Sequence, residues 1–84
     1  MAFELQSKKI PKPYKVKIRD RERLEQPHVS ILKKTECWRL GLRSLKFLDD
    51  VSWSAFPDGI REAIDENLEQ LIREWNRMYP ENPV

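Results

Sequence analysis

Ile60-Arg61-Glu62-Ala63-Ile64-Asp65-Glu66-Asn67-Leu68-Glu69-Gln70-Leu71-Ile72-Arg73-Glu74-Trp75-Asn76-Arg77-Met78 carries apolar residues at Ile60, Ala63, Ile64, Leu68, Leu71, Ile72, Trp75 and Met78. Steps of three and four bring these positions onto one stripe of an α-helix, which turns once every 3.6 residues. Glu62, Asp65, Glu66, Glu69 and Glu74 fall opposite the stripe, as on an ordinary solvated face, and Glu69 and Arg73 form an i,i+4 pair. Pro57 and Asp58 suit a first turn, where proline loses no needed donor and a carboxylate meets the positive end of the helix dipole. Pro80 and Pro83 stop the pattern, so it predicts a single helix over 57–79. Gly59 costs such a helix about 1 kcal/mol of propensity without breaking it.

Upstream, the period changes from 3.6 to 2. Tyr14, Val16 and Ile18 alternate with Lys15, Lys17 and Arg19, the pattern of a half-buried strand. A polar connector, Asp20 to Gln26, leads to Pro27 and then to strands at His28 to Lys33 and Cys37 to Arg43 around a Lys34-Thr35 turn. With those two residues central in the turn, Ile31 lies opposite Trp38 and Val29 opposite Leu40, all on one face. A second turn at Arg43-Ser44 would set Leu42 against Leu45 and Leu40 against Phe47, adding a short fourth strand, and Asp49 to Phe56 is a connector. The expected fold is α+β, an antiparallel meander of three or four strands covered on one face by the long C-terminal helix. The place of the Tyr14 strand in that sheet is left open.

A helix of about 22 residues is about 33 Å long, whereas a six-residue strand spans about 20 Å. The helix should therefore cross the sheet diagonally or overhang it, and Trp75, Met78 and Tyr79 at its far end are the first candidates for a partner contact. Residues 1–13, with Lys8, Lys9, Lys12, Pro11 and Pro13, read as an extended basic arm; 14–79 form the single domain and 80–84 a tail.

Eighty-four residues allow one small core, to which three Trp, three Phe and two Tyr bring bulk. One Cys and one His fall short of a structural zinc set, and a lone Cys37 forms no internal disulfide, so no metal, cofactor or crosslink is expected. The opening residues lack a cationic segment followed by an apolar one, and no stretch approaches the length of a membrane span, which together predict a cytoplasmic protein. The net charge of +2 hides an asymmetry: residues 1–50 hold 13 Lys and Arg against 7 Asp and Glu, and residues 51–84 hold 3 against 7. Such a split can steer an anionic partner toward the sheet.

His28 is the natural suspect for proton transfer near neutral pH, though a strand-start His packed against Pro27 is the preferred reading, and the expected register turns it to the outer sheet face opposite Gly41. The same face would carry Lys15, Lys17, Arg19, Arg39 and Lys46, a row of cations able to track phosphates, with an ordinary solvated basic face the preferred reading. Trp38 and Phe47 fall on the inner face, so that row lacks a base-stacking platform. Cys37 has no second His to activate it and counts as a small hydrophobe.

Pro27-His28-Val29-Ser30-Ile31, the following Trp38-Arg39-Leu40 and the terminal helix with Trp75-Asn76 resemble a family of small bacterial proteins of unknown function. That family has a Pro-His-Val-His-Val strand and ends in a helix with a Trp-Asn-like pair. The resemblance covers about residues 27–79. Ser30 stands where the family's second His would be, which removes the one pair able to share a proton or a metal. Members of such families look like parts of toxin–antitoxin-type gene pairs, which implies a protein partner or an RNA target. The expectation is a non-enzymatic interaction module working through a protein partner, met by the Trp75 end of the helix or by the outer sheet face; the rival is an RNA-binding or RNA-cleaving protein using the outer face and His28.

Overall fold

A computed structural model describes residues 2–19 and 25–84. Its sheet is a four-stranded antiparallel meander, β1 (Phe3–Glu4), β2 (Tyr14–Ile18), β3 (His28–Lys33) and β4 (Glu36–Gly41), in that spatial order. Two helices, α1 (Asp58–Glu66) and α2 (Leu68–Met78), follow a short 3-10 turn at Trp53–Ala55. Of the expected Asp20 to Gln26 connector, residues 20–24 lie outside the described residues.

The central hairpin has the register its alternation dictates. Ile31 pairs with Trp38, Val29 with Leu40 and His28 with Gly41, and the Lys34-Thr35 turn leaves Lys34 at φ 57°. β2 joins the other side of β3, with Val16 opposite Ile31 and Lys17 opposite Ser30. Val16, Ile18, Val29, Ile31 and Leu40 are sealed on the inner face against Ile60, Ala63, Ile64, Leu71 and Trp75 from the helices. Burying each such side chain contributes roughly 1.5–3 kcal/mol, so this one interface carries most of the fold's stability.

Three expectations need correction. The arm is not free: Phe3–Glu4 pairs with β2 as the fourth strand, and Leu5 is buried in the core. Its backbone continues the pairing, with Leu5 N donating to the Val16 carbonyl at 2.8 Å. Lys9 then bonds Glu66 and lies 3.5 Å from Glu62, both on α1. Second, the segment after Arg43 is not a strand. Only one isolated bridge, Leu40 to Phe47, survives, because Leu45 takes φ 57° and turns the chain away.

Third, the single helix is two. Asn67 sits between them at φ −115°, ψ 18°, and its side-chain amide donates to the Ala63 carbonyl at 2.8 Å, competing with the backbone ladder as short polar side chains do. The C-terminal tail also folds back. Trp75 Nε1 donates to the Asn82 carbonyl at 2.7 Å, Asn82 Nδ2 to the Glu25 carbonyl at 2.7 Å, and Val84 N to Asn76 Oδ1 at 2.8 Å.

Candidate interaction surface

His28 opens β3 opposite Gly41, but its ring is not open to a ligand: the residue is 1% exposed. Nδ1 lies 2.9 Å from the Gln26 carbonyl, an acceptor only, so Nδ1 carries the proton. The ring is packed at 5.5 Å from that of Trp75. An imidazole enclosed this way has no route to a phosphodiester, and the structure places His28 in the core rather than on an accessible face.

The outer-face cations do not form a continuous track either. Arg39 is clamped between two acids, with Nη2 3.0 Å from Asp49 Oδ1 and Nη1 2.7 Å from Glu25 Oε1. Its backbone N–H donates to Asp49 Oδ2 at 2.8 Å as well. The hydrogen bonds from Arg39 hold the Asp49 carboxyl below its ordinary range, and Asp49 and then Glu25 push the guanidinium further up. Lys17 lies 3.9 Å from Glu4, and Arg19 Nη1 reaches across the sheet to Cys37 Sγ at 3.7 Å. Among the described residues, Lys15 and Lys46 alone of the five keep a head group with no bonded partner.

Asp49 also guards the β4 edge. Lys33 and Glu36 flank a two-residue turn and bond to each other, so Cys37, Arg39 and Gly41 turn their N–H and C=O groups outward. The Arg39 carbonyl accepts from Leu48 N at 2.9 Å, and Gly41 N donates to the Lys46 carbonyl at 2.9 Å. Only Cys37 keeps its backbone groups open along β4 among the described residues, too short a stretch to add a strand from a partner.

The helix-end residues divide. Trp75 is fully buried and Tyr79 nearly so, its hydroxyl donating to the Arg19 carbonyl, while Met78 is half-buried. Trp75 and Tyr79 close the core at the end of β2, because the sheet gains β1 and the tail folds back over them. They present no overhanging surface.

The surface that does combine aromatic bulk with partial exposure lies at the other end of the inner face. Phe56, buried, is a hub for four half-buried rings: Trp38 at 5.1 Å, Phe47 at 5.3 Å, Tyr14 at 6.3 Å and Trp53 at 6.4 Å. Phe47 stacks on Phe56 at 17°, and Trp53 meets Phe47 edge-on at 4.9 Å. Lys33 stands over the Tyr14 ring at 5.4 Å and Arg61 over Trp53 at 5.3 Å. Reading 49–56 as a plain connector hid this lip. The signal was present in Val51, Trp53 and Phe56, three bulky apolar residues within six positions, since a solvated linker does not spend residues that way.

Lys12 and Lys34 stand near the lip in the chain, on the residues before β2 and in the hairpin turn, and Lys15 follows Tyr14 on the opposite face. None of Lys12, Lys15, Lys33 or Lys34 has an ion pair among the described residues, and Glu36 is the one acid of the hairpin tip.

No group of three or more His, Cys, Asp or Glu that could hold a metal occurs among the described residues, and no helix there is long and apolar enough to cross a membrane. No protein-family model, curated protein or solved structure matches the chain.

Proposed function

We propose that this chain is a small, non-enzymatic interaction module that docks a protein partner through the aromatic lip around Phe56. The observation that carries the proposal is the lip itself: Tyr14, Trp38, Phe47 and Trp53 gathered at the surface on one buried ring, with a cation over each of Tyr14 and Trp53. Protein interfaces concentrate aromatic side chains and Arg at their energetic centres, because these bury large area at low conformational cost. A toxin–antitoxin-like pair is the setting that the family resemblance adds to this reading, and it stands on that resemblance alone.

The rival, RNA binding or cleavage through the outer face and His28, needs an accessible imidazole and an open row of cations. The burial of His28 and the double pairing of Arg39 weigh against it. The deciding experiment is a native pull-down of the tagged chain and of Trp53→Ala from the chain's own host, without nuclease, with a thermal melt to show that both are folded. A stoichiometric protein retained by the parent and lost with Trp53→Ala is the expected result. Nucleic acid that leaves at high salt, with no such protein, overturns it in favour of the rival.

A further inference from the structure

We propose that the partner meets the lip with an acidic, apolar-containing peptide segment whose carboxylates pair with Lys33 and its neighbours at the hairpin tip; this rests on the interaction reading above. Two observations choose this occupant. The first is charge: Lys12, Lys15, Lys33 and Lys34 occupy the start of β2 and the β3–β4 tip, with Glu36 the one acid of that tip. None of the four has an ion pair among the described residues, whereas Lys9, Lys17, Arg39 and Arg77 elsewhere all have carboxylate partners within 4.0 Å. With Glu36, opposite Lys33, the one acid among them, the lysines leave that end of the molecule net positive, Lys15 from the opposite face, and steer an anionic segment to it.

The second is what lies against the rings. A nucleobase stacks on a ring face. Here one face of each of three lip rings is engaged: Phe47 lies flat on Phe56, Lys33 stands over Tyr14, and Arg61 stands over Trp53. The methylene stems of these two cations lie beside the rings, a mixed surface that suits aliphatic and proline side chains. An acidic peptide with apolar residues uses both the charge and this mixed aromatic and methylene surface.

The test immobilises the full chain and selects from a random library of about twelve-residue displayed peptides at low and at near-physiological salt. Selected peptides are then measured by fluorescence anisotropy beside an oligouridylate of similar length. The expected result is enrichment of sequences rich in Asp and Glu with interspersed apolar residues. Lys33→Glu with Lys34→Glu should weaken them roughly tenfold or more, and Lys46→Glu, away from the tip, should leave them unchanged. Enriched peptides without acidic bias that are weakened by Trp53→Ala overturn the acidic occupant while sparing the lip. Tighter binding of oligouridylate than of every selected peptide overturns it in favour of nucleic acid. If nothing enriches, both this inference and the lip as a docking surface fail.

Discussion

Gly59 and Lys9 are in closer contact than any side chain at position 59 would permit: a Cβ there would lie 2.0 Å from the Lys9 carbonyl oxygen. Residues far apart in the chain are thus joined backbone to backbone, the N-terminal arm against the first turn of α1. The same arm residue reaches forward to Glu62 and Glu66, so a close approach and a pair of charges seat it together. Gly59, which looked like a small cost to helix propensity, is the position that lets the fourth strand's connection pass.

Gly59→Ala should therefore destabilise the protein although it improves helix propensity by about 1 kcal/mol. The clash involves backbone on one side, which cannot rotate away, and overpacking of that kind costs about 1–3 kcal/mol. The arm should also become accessible, read as faster tryptic cleavage after Lys8 and Lys9. A variant that melts higher with the arm still protected would show that the contact is looser than the structure has it.

Asp49→Asn should remove an acid-sensitive contribution to stability. The Asp49 carboxyl is depressed in the folded state by its bonds to Arg39, so the folded pKa lies below the unfolded one. Its contribution is complete above the unfolded value of about 4 and is lost as the pH falls through the folded value. Both side chains are partly solvated, so the amount is about 1 kcal/mol. Urea melts of parent and variant at pH 7 should differ by that much and converge as the pH falls through the depressed folded value. A gap that persists at low pH would mean that the neutral hydrogen bond to the Arg39 N–H, not the charge, matters.

The features legible in the sequence were those set by neighbours close along the chain. Val29, Ile31, Trp38 and Leu40 alternate on both sides of a two-residue turn, and only one register sets them on one face, so the pairing is legible to the residue although the second strand runs Glu36–Gly41 rather than Cys37 to Arg43. The helical stripe from Ile60 to Met78 is equally plain, but it gives no sign of the break at Asn67. A residue whose side chain can replace a backbone bond leaves the apolar period intact while breaking the helix. β1 was invisible for another reason: two residues, Phe3 and Glu4, have no pattern of their own and are a strand only because β2 has an open edge. The surface failed in the same way. From sequence Arg39 reads as one of a row of cations, because Asp49, ten residues on, and Glu25, fourteen residues back, meet it only after folding.

Lys34 offers a test of the turn. At φ 57° a residue with a Cβ is strained, and glycine is not. Lys34→Gly should be neutral to stabilising, by about 0.5 kcal/mol, because relief of strain outweighs the added freedom of the unfolded chain. Lys34→Val should lose about 1–2 kcal/mol, since branching at Cβ makes the left-handed region still less favourable. Thermal melts that rank valine at or above lysine would show that the turn relaxes to another conformation.

Trp75 separates core from contact. It is fully enclosed against His28 and Tyr79, with ring centroids 5.5 and 4.2 Å away, and its indole N–H donates to the Asn82 carbonyl. Trp75→Ala should cost about 3–5 kcal/mol, the cost of a large cavity in a close-packed interior, and in a chain this small that threatens folding itself. Trp75→Phe keeps most of the ring and loses one hydrogen bond, a change of about 1–3 kcal/mol that should leave a folded protein. If the lip around Phe56 is the docking surface, Trp75→Phe retains the partner at concentrations where the chain is folded, whereas Trp53→Ala loses it. Partner loss in a folded Trp75→Phe protein would return the contact to the end of α2 and remove the lip from consideration.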